Sequence, residues 1–247
     1  MNNKKSLLYT FKFAFVTIIA CILVLLIGLY FGSYLKQKNE QSKVVFANGD
    51  SITYVIDAGH GGEDAGAIAN DGTYEKDLNL EIASLLCGIL ELNGNGVKMT
   101  RTEDTLLYDY YDDLDDYTGQ KKVYDLKNRV KIAEEFENPI YVGIHMNKFS
   151  IAKYKGLQVY YSKNNNDSYK IANKIKENTK SYLQNDNNRE VKKADSSIYV
   201  LNNIDCPSVL IECGFLSNEE ELNNLKDKEY QCRLALMLFC SLVGNEN

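Results

Sequence analysis

Short, fully apolar runs alternate with amphipathic stretches along most of the chain. Tyr54–Ile56, Ile140–Ile144 and Val209–Ile211 lack the polar alternation of a half-exposed strand. Such runs predict strands covered on both faces, as in a parallel sheet. Val97–Thr100 and Gly156–Tyr161 predict two more strands. The stretches between them have helical spacing. From Lys76, residues Leu78, Ile82, Leu85, Leu86, Ile89 and Leu90 share one helix face, and Asn93–Gly96 ends it. Asp125–Glu137 offers Leu126, Val130, Ile132, Ala133 and Phe136 for packing, and Asn138-Pro139 stops it. Asp167–Leu183 carries Ile171, Ala172, Ile175 and Thr179 on one face, and Glu229–Val243 carries Leu234, Met237, Leu238 and Leu242. Ser217 with Glu220 has the form of a capping box opening another helix. Gln184–Ser197 is polar and loop-like, and Ser197–Leu201 is expected as a short edge strand. Strand, helix, strand in this order predicts an α/β fold: one domain with a central, mostly parallel twisted sheet flanked by helices on both faces.

The amino-terminal pattern is different. Phe13–Leu35 is a run of 23 residues without a charge, enough to span a bilayer core of about 30 Å. Lys4, Lys5 and Lys12 precede it, which favours a cytoplasmic amino terminus. The run exceeds the roughly 7–15 apolar residues of a cleaved signal peptide, so an uncleaved transmembrane anchor is expected. The chain then divides into a cytoplasmic stretch (1–12), the anchor (13–35), a polar linker (36–50) and a folded domain (51–247) outside the cytoplasm.

Charge narrows the partners. Formal net charge is -6, with 28 basic and 34 acidic residues. Residues 1–43 hold six lysines and one glutamate, so the remainder carries 22 basic against 33 acidic residues, a net of -11. So acidic a domain does not bind nucleic acid through phosphates. Leu106–Tyr117, LLYDYYDDLDDY, reads as a solvated loop, with a lip of a substrate groove or a docking surface as the alternative. Of six cysteines, one lies in the anchor and five outside it, with no CxxC pair. Free, buried thiols are expected, including Cys232 and Cys240 on one helical face; nothing fixes a disulfide pairing.

Candidate chemistry sits at the ends of the apolar runs. The first breaks into Asp57-Ala58-Gly59-His60-Gly61-Gly62 and leads to Glu75, where helical spacing begins. The second delivers His145, the only other histidine, and the third delivers Glu212. If the three runs are neighbouring parallel strands, these ends open on one rim of the sheet. Two histidines and a carboxylate just outside core elements fit the open, three-ligand zinc site of a hydrolase. The glycines lack the spacing of a phosphate cradle. Strand alternation turns Cys213 away from Glu212.

The words DAGHGGEDAGA, EKDLNL, KMTRTED, GIHMN, GLQVYY and PSVLIECGFLSNEEE occur in that order. Together they resemble the zinc-dependent N-acetylmuramoyl-L-alanine amidases that cut peptidoglycan, from about Tyr54 to Val243. The resemblance implies one zinc per chain held by His60, Glu75 and His145, with Glu212 as general base and then general acid. It implies that Asp57 orients a ligand histidine or ties down the glycine loop. Asn147 is expected to hydrogen-bond substrate, and Arg189 to hold a peptide carboxylate. Where the family has Ser before Ile-His, this chain has Gly143. The anchor and the KVYDLKNRVKIAEE stretch look most like the germination-specific, spore-cortex branch, in which stem-peptide removal precedes muramic-δ-lactam formation. Peptidoglycan and the membrane are the implied partners, and the resemblance leaves open a membrane-associated activator protein. A zinc peptidase acting within the stem peptide, or a non-catalytic domain that binds peptidoglycan or a partner, are the alternative readings.

Overall fold

The computed structural model describes residues 52–243. The expected anchor at 13–35 and linker at 36–50 lie outside the described residues. Among the described residues no helix is long and apolar enough to cross a membrane.

The elements run β1 (Thr53–Ala58), α1 (Glu75–Leu92), β2 (Gly96–Met99), α2 (Lys121–Glu134), β3 (Pro139–Asn147), β4 (Gln158–Tyr161), α3 (Asn166–Asn178), β5 (Lys192–Lys193), α4 (Tyr199–Asn203), β6 (Ser208–Phe215), α5 (Glu219–Lys226) and α6 (Lys228–Val243). A π-helical turn, Thr179–Leu183, continues α3. The strands form one sheet in the order β2-β1-β3-β6-β4-β5. Neighbours are parallel except β4, which runs antiparallel to β6. The three apolar runs are thus the three adjacent central strands β1, β3 and β6. Val55↔Tyr141, Ala58↔Ile144, Ile144↔Ile211 and His145↔Glu212 are in register.

These strands are largely apolar because both faces are covered. In β1, Tyr54, Ile56 and Ala58 join the larger core with Leu78, Ile82 and Leu86 of α1, Ile175 of α3 and Leu234 and Leu238 of α6. Val55 points the other way, with Tyr141, into a second core built from Val130, Ile132 and Ala133 of α2 and Val200 and Leu201 of α4. Alternation along each strand therefore feeds two hydrophobic layers.

Several local expectations are corrected. Ser197–Leu201 is no edge strand: Tyr199–Asn203 is helical, which puts both Val200 and Leu201 into the second core. The edge strand is Lys192–Lys193, within the stretch expected as loop. The cap of α5 is Asn218, whose side chain accepts from Glu221 N–H at 3.1 Å, while Ser217 Oγ accepts from Phe149 N–H at 3.1 Å. Cys232 and Cys240 are exposed, not buried, and the described cysteines are free. The acidic insertion is more than a solvated loop. Leu106, Leu107 and Tyr117 are buried. Leu107 N–H donates to Asp125 at 2.8 Å, and Asn128 Nδ2 donates to Leu107 O at 2.6 Å, pinning the segment to α2.

Candidate metal centre and active site

The chain leaves β1 through Gly59, whose N–H still donates to Ile144 O at 3.1 Å. A side chain at 59 is excluded: a Cβ there would lie 2.2 Å from the His145 ring. At the next residue the backbone turns left-handed, with φ 62° at His60. For a residue other than glycine this conformation is costly, and two buried arginines hold it. Arg101 Nε donates to Ala58 O at 2.8 Å, and its Nη2 to Gly59 O at 3.1 Å and Lys76 O at 2.8 Å. Arg129 Nη1 donates to Ala58 O at 3.0 Å and its Nη2 to His60 O at 2.9 Å. Every carbonyl of the Ala58–His60 turn thus faces a guanidinium.

Behind Arg129 lie Asp57 at 2.5 Å and Asp125 at 2.9 Å. Asp57 also accepts from Thr100 Oγ1 at 2.5 Å and Tyr141 OH at 2.6 Å. Burial would push its pKa up, but Arg129 and these two hydroxyls together hold it below the usual carboxylate range. Its hydrogen bonds go to these groups and not to His60 or His145. Asp57 therefore acts on the glycine loop through Arg129, and the carboxylate that touches His60 is Asp64, with Oδ2 3.0 Å from Nδ1.

Glu75 is the first residue of α1, where the helix dipole favours a carboxylate. It is 4% exposed. Oε2 accepts from Ala67 N–H at 2.7 Å and Oε1 from Met146 N–H at 3.0 Å. Oε1 also lies 3.3 Å from His60 Nε2 and 3.1 Å from His145 Nδ1. Desolvation opposes its charge, yet the hydrogen bonds and charges of His145 and His60 drive its pKa far below the usual value. Gly66 makes room on the far side: a Cβ there would sit 2.6 Å from Glu75 Oε2 and 2.8 Å from His60.

One donor atom from each of His60, Glu75 and His145 lies within 4.8 Å of the others. Ligands about 2.0–2.1 Å from a tetrahedral zinc stand roughly 3.3 Å from one another, close to the two nitrogen–oxygen separations here. The donor set, two imidazoles and one carboxylate, therefore fits a zinc-sized ion. Gly143 changes little beneath it, since a Cβ there would meet Tyr141 and Leu210 at ordinary distances of 3.5 and 3.6 Å.

Glu212 pairs in register with His145 on the next strand. Its Oε2 is buried without a hydrogen-bond partner. Burial raises its pKa to about 7; Glu75 adds to the rise, while His145 and His60 oppose it. Beyond it, Phe215 pairs with Asn147, which is half-buried at the end of β3 and accepts from Leu216 N–H at 2.8 Å. The Arg189 guanidinium lies 4.6 Å over the Phe215 ring, with Nε donating to Lys155 O at 2.7 Å. Asn147 and Arg189 thus border the strand ends without joining the three-donor cluster. Asp64, Arg101 and Arg129 were missed from sequence. Asp64 stands four residues after His60 in a glycine loop; nothing in the pattern separates the two arginines from surface ones.

A carboxylate with one buried oxygen beside two imidazoles and a glutamate, at the rim of a mostly parallel sheet, is an arrangement that can hold a metal ion and carry hydrolytic chemistry in an α/β fold. The profile of the N-acetylmuramoyl-L-alanine amidase family, Amidase_3, matches residues 55–239, and the chain belongs to this family. It is 32% identical over 212 residues to the germination-specific N-acetylmuramoyl-L-alanine amidase of Bacillus subtilis, covering 81% of this chain and 86% of that protein. The structure of the CwlD amidase from Clostridioides difficile, solved in complex with the GerS lipoprotein, is similar at 42% identity and a TM-score of 0.71, covering 77% of this chain and 95% of that one. The amidase AmiC2 of Nostoc punctiforme is similar at 30% identity and a TM-score of 0.65, over 80% of this chain and 97% of that one.

Proposed function

We propose that this amidase uses one zinc ion, held by His60, Glu75 and His145, to release stem peptides from the muramic acid of spore-cortex peptidoglycan. The observation that carries the reading is the unbonded carboxylate oxygen of Glu212 beside three convergent donors. Zinc in such a site supplies a Lewis acid for the scissile carbonyl and lowers the pKa of a bound water. Glu212 takes the proton from the attacking water and returns it to the leaving L-alanine amine. Burial favours the protonated form of Glu212, the form that returns a proton, and a cation nearby favours the carboxylate that takes one. Asn147 and Arg189, on the border of the strand ends, bind the substrate. Arg189, already fixed by Lys155 and Phe215, offers its remaining N–H groups to a peptide carboxylate.

The cortex assignment is supported by the two relatives of germination and CwlD type. The CwlD chain was solved with a lipoprotein, and a membrane-associated protein partner is proposed here by analogy. An anchor at 13–35 would hold the domain (51–247) on the outer face of the membrane, where both substrate and partner lie.

The zinc-loaded chain should convert cortex peptidoglycan to muramic acid without peptide and to stems with free L-alanine amino termini, read by mass analysis of the muropeptides. Cleavage between two amino acids of the stem would make it a peptidase instead. Binding without any cleavage would leave a non-catalytic domain.

A further inference from the structure

Asp64 has one carboxylate oxygen 3.0 Å from His60 Nδ1. That is the ring nitrogen opposite to the one facing Glu75, since Nε2 lies 3.3 Å from Glu75 Oε1. A neutral imidazole carries one N–H and one lone pair, and a hydrogen-bond acceptor at one nitrogen keeps the proton there. An acceptor at Nδ1 therefore leaves the Nε2 lone pair directed at the cluster.

The carboxylate is itself fixed. Its other oxygen accepts from Gly66 N–H at 3.2 Å. Its backbone exchanges two hydrogen bonds with Gly61, both at 3.0 Å. Lys122 Nζ stands 3.4 Å from the oxygen that faces His60. His60, with φ 62°, has its carbonyl held by Arg129 and its ring by Asp64. At His145 the nitrogen facing Glu75 is Nδ1. The two histidines thus offer opposite nitrogens, which calls for opposite tautomers.

We propose that Asp64 is the positioning residue for His60, holding it as the Nδ1–H tautomer with its ring aimed at the metal. This role rests on the zinc reading above. Ligand histidines whose second nitrogen loses such a partner bind metal about 10–100-fold more weakly.

The full chain in detergent is compared with Asp64→Ala and Asp64→Asn by zinc competition against a chromophoric chelator and by ¹⁵N imidazole NMR. Only two histidines exist in the chain, so two rings account for the whole histidine spectrum, and His145→Ala assigns them. In the zinc-loaded wild type, His60 should carry its proton on Nδ1. Asp64→Ala should weaken zinc binding about 10–100-fold, and Asp64→Asn, which keeps an acceptor oxygen, should recover most of the loss. A turn-stabilising role alone would lower the melting temperature without changing zinc affinity in the folded protein. Zinc affinity of Asp64→Ala within about twofold of wild type, or a wild-type His60 protonated on Nε2, would overturn the assignment. Should Asp64→Ala not fold, the wild-type tautomer decides alone. A wild type that binds no zinc would overturn the metal reading itself, and that result appears before any variant is made.

Discussion

At the scale of single residues, Glu212 combines a cost and a use. Its buried, unbonded oxygen is the kind of group that proteins bury only at a price in stability. Glu212→Gln keeps the shape and abolishes proton transfer. Turnover should fall at least about a hundredfold while zinc is retained. Zinc loss in that variant would make Glu212 a ligand, and near-normal activity would move the proton transfer to another group. The same substitution tests the burial. In metal-free protein Glu212 titrates near 7 against about 4.5 in the unfolded chain. An acid whose pKa is raised in the native state binds its proton more tightly there. Its contribution is then present below pH 4.5 and is lost as pH rises through 7. Metal-free Glu212→Gln should match wild type near pH 4 and exceed it at pH 8, by at most about 3 kcal/mol. Melting curves across this range, with chelator present, read the difference directly; equal curves at pH 8 would contradict the burial argument.

At the scale of elements, the metal centre depends on how the β1–α1 connection is held. Arg129 on α2 ties that connection to Asp57 on β1 and to Asp125 on its own helix, all nearly out of contact with water. Removing one member of such a buried network leaves uncompensated charge and typically costs about 3–5 kcal/mol. Arg129→Met should therefore destabilise the domain by that order in urea unfolding and weaken zinc binding, because the His60 carbonyl loses its donor. A change below about 1 kcal/mol would mean that Arg101 alone holds the turn. The sign with pH follows from Asp57, whose pKa is lowered from 3.8 in the native state. Its stabilisation is present above that value and is lost as pH falls below it through the native pKa.

For the whole molecule, topology brings distant residues to one place. His60 just past the end of β1, His145 on β3 and Glu212 on β6 are brought together by strands that are neighbours in the sheet and far apart in the chain. Their common rim exists because those strands are parallel. The remaining expectation at this scale is the anchor. Carbonate extraction of membranes from producing cells should leave the full chain in the pellet if the 23 uncharged residues at 13–35 form the expected anchor. A soluble fragment beginning near Gln37 would instead establish cleavage.

Much of this was legible in the amino-acid sequence, because the relevant physics is local. Unbroken apolar runs announced central strands, since a strand covered on both faces cannot afford polar alternation. Glycines around His60 announced a tight turn, and the order of the motif words announced the donor set. What remained hidden depends on partners far along the chain. The sequence around Asp57 suits a histidine-orienting carboxylate as well as an arginine partner, and only packing of α2 against β1 assigned it to Arg129. Ser197–Leu201 reads as a strand, yet the second core needed Val200 and Leu201 together on one side, which the helix Tyr199–Asn203 provides and a strand does not. Asp64 is one acid among many until the loop folds back and sets it against Nδ1 of His60. The sequence by itself determined the layers and the class of chemistry, and its motif words pointed to His60, Glu75 and His145 as candidate donors. The tertiary structure alone decided which carboxylate serves which cation or imidazole, because that choice turns on distances of a few ångströms between residues tens of positions apart.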